Sequence, residues 1–338
     1  MPEVVIEEIR SDLFRCEIPL PRNPLKATNS YIILGDRRNL IIDTGMNRKE
    51  CKAAMLDALE KLKVDLHKTD FFVTHLHADH IGLVDDLSSD DTVIYFNRPD
   101  AEILSYKDLW SYLCSLTGKH GFPEELVNMA IDSHPGQRYS PKNPVAFTMV
   151  EDGEVIKYGN YELKCLITPG HTRGHTCLYE PNLEILFSGD HILGDITPNI
   201  STWLDDSNPL LEYFKSLDKI YDIPVELVLP GHRRVFSDCR ARIEELKEHH
   251  RLRLEEVLTI LDQYGSGSAF EVASRMTWDL VAENWDQFPL MQKWFATGEA
   301  LAHIRYLEDQ GKLKREMSGK SRTLTTRTII EKGSPFFI

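Results

Sequence analysis

Apolar and polar positions alternate in short runs through the first part of the chain. The runs VVIEEI, TNSYIILG and NLIIDTG, all within residues 4–45, are rich in Val, Ile and Tyr. Gly and Asp punctuate them, which predicts neighbouring β-strands. The next stretch places Ala54, Leu56, Leu59 and Leu62 at helical spacing and predicts an amphipathic helix. TDFFVTH and TVIYFN then predict two further strands, so a β-meander gives way to alternating strands and helices.

The pattern becomes helical at about residues 98–150, where Gly and Pro separate two or three predicted helices. Strands return in GEVIKYGNYELKCLITP, TCLYEPNLEILFSGD and VELVLPGH, with a helix near NPLLEYFKSLDKIYD between the last two. We therefore predict a catalytic domain over 1–239 that carries a helical insert at about 98–150.

A charged, helical pattern follows over 240–338 and predicts a second, smaller domain of three helices and a hairpin. Ser268 and Glu271 have the spacing of a capping box. The third helix is predicted in ATGEALAHIRYLEDQGKLKREM, ending near Gly311. Five large aromatics between the second and third helices exceed the needs of a small core: Trp278, Trp285, Phe288, Trp294 and Phe295. We expect two or three to fill that core and the others to contact the insert around Leu109–Trp110, or its counterpart in a partner chain.

Composition narrows the range of functions. A formal net charge of −14 over 338 residues argues against a general nucleic-acid binder, because such proteins neutralise phosphates with Lys and Arg. The 6 cysteines are scattered, which argues against a disulfide scaffold. The chain has neither a signal-peptide pattern nor an apolar run long enough for a membrane span. We expect a cytoplasmic protein without a membrane partner.

The segment HLHADH at 75–80 concentrates coordinating side chains. His75 and His77 stand two residues apart at a predicted strand end, so both can project to the same side. Asp79 and His80 follow where the chain turns into a helix. Imidazole and carboxylate are usual ligands of Zn²⁺ and related ions, and one such segment could serve two adjacent metals. Both ions would need further ligands from elsewhere in the chain.

Three downstream positions could complete the site. His171 lies in TPGHTRGHT, Asp190 in LFSGD and His232 in LPGH. Each follows a predicted strand, and each is preceded by Gly, which permits close backbone approach. One histidine after Pro-Gly is usually a turn residue, but this many strand ends in this order indicate a shared cleft.

These motifs together resemble the metallo-β-lactamase superfamily, and most closely its glyoxalase II-like hydrolases. The resemblance runs from about Val5 to Phe236 and implies an α/β fold, an αββα sandwich with the site along one edge of two packed sheets. It also implies a binuclear site with two ligand groups and a bridging carboxylate: His75, His77 and His171; Asp79, His80 and His232; and Asp190 as the bridge.

Asp43, in IIDTG, matches a family position near the metals. The resemblance implies that its carboxylate orients a ligand imidazole. Its other interpretation is a turn residue after a strand.

The implied cofactors are two divalent metal ions, with Zn²⁺ expected first and Mn²⁺ or Fe²⁺ compatible with the same N/O donors. Such ions supply hydroxide from water at neutral pH and polarise the bond under attack. Asp79 is the expected catalytic side chain, which orients the nucleophile and passes a proton to the leaving group. The implied reaction is hydrolysis of an ester, thioester or lactone, with amides and phosphodiesters in the same class.

At two places this sequence differs from particular branches of the family, and each difference argues against one activity of those branches. Oxygen-reducing di-iron relatives carry an acidic residue where this chain has His77, which argues against redox chemistry. The basic tail with which glyoxalase II binds glutathione has no match here, so glutathione thioesters are not a specific expectation.

The predicted C-terminal domain resembles the winged-helix tail of some β-lactamase-like hydrolases, including an endoribonuclease. Three hypotheses therefore stand: a small-molecule metallohydrolase, a metal-dependent endoribonuclease or phosphodiesterase, and a DNA-binding ligand sensor on a hydrolase fold. The first is favoured, since only the stretch at 312–327 is clearly basic. The expected partner is a small-molecule substrate, with nucleic acid not favoured. The C-terminal domain is expected either to wall one side of the active site or to build a homodimer.

Overall fold

A computed structural model describes residues 4–279, 282–318 and 325–330, with side chains up to residue 316. The strands are β1 (Ile6–Arg10), β2 (Leu13–Pro19), β3 (Ala27–Ile33), β4 (Asn39–Ile42), β5 (Thr69–Phe72), β6 (Ile94–Phe96), β7 (Thr148–Met149), β8 (Val155–Tyr158), β9 (Tyr161–Ile167), β10 (Thr176–Glu180), β11 (Ile185–Gly189), β12 (Leu227–Pro230), β13 (Leu313–Ser318) and β14 (Thr325–Ile330).

The helices are α1 (Lys49–Lys61), α2 (Ala78–Ile81), α3 (Val84–Leu87), α4 (Arg98–Ser105), α5 (Leu109–Lys119), α6 (Glu124–Ser133), α7 (Pro135–Tyr139), α8 (Pro209–Tyr221), α9 (Cys239–Tyr264), α10 (Ala269–Ala273) and α11 (Leu290–Asp309), with 3-10 turns at Leu66–Lys68 and Trp285–Gln287. Within these described residues, no helix is both long and apolar enough to cross a membrane.

The chain folds into two compact units, and neither is one continuous segment. The first unit comprises the described residues up to 105, then 135–198 and 216–242. The second comprises 106–134, 199–215 and the described residues from 243 onward. The predicted division at 239/240 with an insert at 98–150 stays a prediction, as does the winged-helix assignment.

Two sheets form the centre of the first unit. One has the order β1-β2-β3-β4-β5-β6-β7 and the other β12-β11-β10-β9-β8. Their facing side chains share one core, in which the Tyr31 ring from β3 lies 5.4 Å from the Phe187 ring from β11. Because successive side chains of a strand point to opposite faces of its sheet, every second residue of these apolar runs faces this shared core. The predicted α/β class and two-sheet sandwich are confirmed.

Helix α1 forms where predicted, but of the apolar positions that indicated it only Leu59 is buried. Met55 and Ala58 are buried together with Leu59, whereas Leu56 is 43% exposed. Cys51 begins the true buried stripe, which continues at 55, 58 and 59 with the i, i+4, i+7 spacing of a helix. The sequence window offered two overlapping apolar stripes, and packing chose the one that includes Cys51.

The insert holds more helices than predicted. It contains the four short helices α4 to α7 instead of two or three. The third C-terminal helix also begins earlier than predicted, at Leu290 directly after Pro289. Proline is restricted to extended or first-turn conformations, so it sets the start of α11.

The second unit has a core of its own, built on Phe122, Val127, Ala130 and Ile131 of the insert. The Ser268–Glu271 capping box of α10 is present, and a two-stranded hairpin follows α11, both as predicted. The large aromatic residues near the start of α11 pack partly on one another and partly on the insert, as expected. The Trp285 ring stacks on Phe288 at 5.1 Å, whereas Trp294 packs on Phe122 of the insert at 5.6 Å. The C-terminal aromatics therefore contact the insert as predicted, with the ring contact at Phe122 in place of Leu109–Trp110, and Trp110 and Trp294 pack against the same core cluster.

Candidate metal centre

Strand direction brings the predicted ligands to one edge of each sheet. In the smaller sheet, β9 and β11 are both antiparallel to β10, and β12 is parallel to β11, so three strands end on the same side. His171, Asp190 and His232 follow these three ends. In the larger sheet β4 and β5 are parallel, and Asp43 and the 75–80 segment follow them. Residues that are far apart in the sequence therefore cluster, because the strands that precede them end on the same side of their sheet.

Three histidines form the first donor group, which we call the three-histidine group: His75, His77 and His171. Their ligand atoms lie within 4.8 Å of one another. His75 Nε2 lies 3.0 Å from His77 Nδ1, and His171 Nε2 lies 2.9 Å from the same nitrogen. His75 is fully buried and His77 is half-buried.

The second donor group, which we call the mixed group, is Asp79, His80 and His232, again with ligand atoms within 4.8 Å. His80 Nε2 lies 3.3 Å from His232 Nε2, and His232 Nε2 lies 3.4 Å from Asp79 Oδ2. Both histidines are fully buried, but 13% of the Asp79 side chain is exposed. Asp79 is therefore the member of this group that water reaches most readily.

Asp190 lies between the two groups. Its Oδ1 is 3.5 Å from His80 Nε2, and its Oδ2 is 3.4 Å from His232 Nε2 and 3.7 Å from His171 Nε2. Gly231 makes this approach feasible, because a Cβ there would stand 2.5 Å from Asp190 Oδ1. The structure thus brings together all the residues predicted as metal ligands.

Asp43 lies behind this cluster and fixes the orientation of two imidazoles. His80 Nδ1 donates to Asp43 Oδ2 at 2.7 Å, which leaves His80 Nε2 directed at the site. The Thr74 hydroxyl also donates to Asp43 Oδ2, at 2.8 Å, so Thr74 Oγ1 accepts from His75 Nδ1 at 2.9 Å. His75 Nε2 then keeps its lone pair. Asp43 has a left-handed φ of 60°, so it is also the turn residue after β4.

The site combines neutral and charged groups. Burial, together with the neighbouring imidazoles, lowers the pKa of His75 and His77 well below the usual histidine value, so both are neutral. Burial also opposes a charge on His232, but Asp190 and Asp79 outweigh it and raise the pKa of His232 to about 10. Burial would raise the pKa of Asp190, yet the nearby cationic imidazoles hold it well below its usual range. The carboxylates thus make the cluster attractive to positive charge.

The donor set fits a divalent metal ion. The Nε2 atoms of His75 and His171 each lie within about one hydrogen-bond length of His77 Nδ1. The buried Asp190 Oδ1 accepts no hydrogen bond from the described residues. Imidazole nitrogens and carboxylate oxygens that converge in a buried pocket are the usual ligands of zinc and related cations.

Other histidines have different surroundings. His175 lies beneath Asp190, whose backbone N–H donates to His175 Nε2 at 3.1 Å. His191 is fully buried and packs against the His175 ring at 5.8 Å. In the second unit, His120 Nε2 lies 3.4 Å from Asp205, and His134 packs on the Trp110 ring at 5.0 Å.

Sequence reasoning missed Asp100 and Thr168. Asp100 in α4 is fully buried, and burial raises the pKa of its carboxyl to about 6. Thr168 Oγ1 accepts from His175 Nδ1 at 2.9 Å and so fixes that ring. Both residues stand in segments with ordinary helix or turn composition, and no local pattern marks them as neighbours of the site.

The architecture and the donor set define a class of proteins, and comparisons with known proteins agree. A family model described as the metallo-beta-lactamase superfamily matches residues 23–232, and another, described as metallo-beta-lactamase-like, C-terminal domain, matches residues 285–323. The first match covers more than half of the chain. The chain belongs to the metallo-β-lactamase superfamily.

Individual proteins are similar to this chain in sequence or in structure. A beta-lactamase-like protein 2 homolog from Caenorhabditis elegans is 27% identical over 253 residues, which cover 75% of this chain and 71% of that protein. A probable metallo-hydrolase from Bacillus subtilis (strain 168) is 28% identical over 263 residues, 73% of this chain and 79% of that protein. The crystal structure of a metallo-beta-lactamase family protein from Thermus thermophilus has a TM-score of 0.78, with 27% identity over 96% of this chain and 100% of that one. The chain is accordingly a hydrolase of this fold.

Proposed function

We propose that the protein is a binuclear metal-dependent hydrolase of small esters, thioesters or lactones, with Zn²⁺ as the first metal to test. The position of Asp190 carries this proposal. One carboxylate oxygen faces His80, while the other faces His232 and His171, so the side chain adjoins members of both donor groups. A single carboxylate between two groups of three ligands suits a pair of ions better than one ion.

The three-histidine group would hold one ion, the mixed group the other, and Asp190 both. When bound, two such ions supply Lewis acidity, which lowers the pKa of water and polarises a carbonyl oxygen. The rigid Nδ1 contacts of His75, His80 and His232, to Thr74 Oγ1, to Asp43 Oδ2 and to the Ala27 carbonyl, hold each Nε2 toward the site. The chain thus fixes its donors before a ligand arrives.

Asp79 has the position of a proton carrier. Its carboxylate is partly exposed and lies 3.4 Å from His232 Nε2. Asp79 Oδ2 would take the proton of an attacking water and return it to the leaving oxygen or sulfur atom. Ester, thioester and lactone hydrolysis all need this transfer, which is why the substrate class stays broad.

Charge pairing argues against a polyanionic substrate. In the second unit, Arg305 and Arg315 both face Asp205, at 3.7 and 3.1 Å, and both also contact Glu308. Two arginines that already pair with carboxylates release few counterions from a phosphate backbone. Together with the net charge of −14, this supports a small-molecule substrate over RNA or DNA.

The test is a substrate panel that contains an aryl ester, an acyl thioester, a lactone, an aryl phosphodiester and a single-stranded RNA. We expect turnover of at least one acyl substrate by the zinc-loaded protein and a loss of at least about a hundredfold in the Asp79→Asn variant. Turnover of the phosphodiester or RNA alone would overturn the substrate class. Elemental analysis should give about two equivalents of metal per chain, and a maximum of one would overturn the binuclear site. Light scattering after size-exclusion chromatography tests the proposed homodimer.

A further inference from the structure

Asp100 ties together two loops of the metal centre. It stands in the first turn of α4 and is fully buried. Asp100 Oδ2 accepts hydrogen bonds from the backbone N–H of Leu76 at 2.9 Å and from the hydroxyl of Thr172 at 2.7 Å. Asp100 Oδ1 accepts from the N–H of Gly174 at 2.6 Å. One buried carboxylate therefore takes three hydrogen bonds from two separate segments.

Both segments supply the three-histidine group. Leu76 lies between His75 and His77, and Thr172 directly follows His171. The second loop lies directly against Asp100, because a Cβ on Gly174 would stand 2.7 Å from Asp100 Cγ. The separation between the two parts of this donor group therefore depends on the position of Asp100.

The mixed group has different supports. His80 Nδ1 donates to Asp43, and His232 Nδ1 donates to the carbonyl oxygen of Ala27 at 2.8 Å. The backbone N–H of Asn29 donates to the Gly231 carbonyl at 2.7 Å and fixes the loop that carries His232. None of these contacts involves Asp100.

We propose that Asp100 is a positioning residue that sets the metal affinity of the three-histidine group and leaves that of the mixed group unchanged. This inference rests on the proposed function only in assuming that both groups bind a divalent ion. Asparagine at this position would keep the shape but accept hydrogen bonds on one side only. Its amide N–H₂ would face an N–H or O–H donor, and one of the two loops would have to move.

The experiment compares Asp100→Asn in two backgrounds of the full chain by Zn²⁺ titration against a chromophoric chelator. Asp79→Ala impairs the mixed group, and His77→Ala impairs the three-histidine group. We expect Asp100→Asn to weaken Zn²⁺ binding about 10- to 100-fold in the Asp79→Ala background and by less than about twofold in the His77→Ala background. Equal affinity with and without Asp100→Asn in the first background, or equal losses in both, would overturn the proposal.

Asp70→Asn is the matched control. Asp70 is also buried and accepts a backbone N–H, from Val93, and a hydroxyl, from Tyr158. It also forms an ion pair with Arg38, and none of these partners belongs to a loop of the three-histidine group. Both variants should lower the thermal midpoint, whereas only Asp100→Asn should weaken Zn²⁺ binding. A comparable loss in Asp70→Asn would reduce the effect to general destabilisation and overturn the proposal.

A second pair of variants tests the same proposal if the Asp100→Asn protein folds poorly. In the Asp79→Ala background, Thr172→Val removes the hydroxyl that donates to Asp100, and Thr172→Ser retains it. We expect weaker Zn²⁺ binding, by about tenfold, for valine and near-complete retention for serine. Equal affinities for the two would contradict the proposal. Wild-type protein that binds two ions yet hydrolyses no acyl substrate would overturn the proposed function and leave this comparison valid.

Discussion

Replacement of Asp43 by asparagine is the sharpest test of how the centre is preorganised. Asp43 accepts the Thr74 N–H at 2.9 Å on Oδ1 and His80 Nδ1–H at 2.7 Å on Oδ2. An amide of the same shape can accept on one side only, so either orientation sets its N–H₂ against one of these donors. If it faces His80, the ring must move its proton to Nε2, the nitrogen directed at Asp190. If it faces Thr74, the strand end that carries His75 must shift.

Either outcome should weaken metal binding more than folding. Loss of a group that orients a ligand imidazole costs about 10- to 100-fold in metal affinity, which is about 1.4–2.7 kcal/mol. Asparagine tolerates the left-handed φ of 60° at this position, so the backbone need not change. We therefore expect the metal-free Asp43→Asn protein to lose only about 1–2 kcal/mol of unfolding free energy.

Two measurements separate these effects: Zn²⁺ titration against a competing chelator, and thermal unfolding of metal-free protein. Asp43→Ala is the control, because alanine adds a strain of about 1–2 kcal/mol at positive φ to the loss of the carboxylate. Alanine should therefore be the less stable variant. Wild-type Zn²⁺ affinity in Asp43→Asn would refute the orienting role and leave Asp43 as a turn residue.

Three further predictions test other parts of the structure. Asp190→Ala should lower Zn²⁺ content at both donor groups and lower turnover by at least about a hundredfold. The control, His175→Ala, should cost about 1–3 kcal/mol of unfolding free energy and retain Zn²⁺. An Asp190→Ala protein that keeps both ions would disprove the bridging role of Asp190. Chelation should abolish hydrolysis and lower the thermal midpoint, with Zn²⁺ restoring both, because a ligand of the folded state stabilises it; activity that survives complete removal of metal would contradict this. Trp294→Ala removes a half-buried ring from the core of the second unit. It should lower the free energy of unfolding by about 2 kcal/mol or more, seen as a lower thermal midpoint, and leave the metal content unchanged. An unchanged thermal midpoint would show that this ring contributes little to the packing.

The metal centre could be predicted from sequence because its chemistry is concentrated in short segments. HLHADH, the histidines after Pro-Gly, and Asp190 after Ser-Gly all stand at the ends of apolar runs, and strand ends on one edge meet by geometry. Asp100 could not be found in this way, because its three hydrogen bonds come from residues 24 to 74 positions away. A buried carboxylate in a helix has the same sequence pattern as an exposed one until the tertiary partners are known.

The same limit explains why the sequence could not predict which segments of the chain form the second unit. Local periodicity located α5, α6 and α11 only as separate helices, yet α6 packs on α11 and their apolar side chains share one core. The surplus of aromatics near residue 290 indicated a partner, either the insert of the same chain or its counterpart in a partner chain, but the sequence could not decide between the two. That partner is the insert, since Trp294 and Phe295 contact Phe122 and His134. A chain cut near residue 240 would therefore expose the apolar faces of α5 and α6, and its failure would report the loss of this core instead of a function of the C-terminal segment. Point variants within that core keep the unit complete, and for that reason they separate its stability from the chemistry of the metal centre.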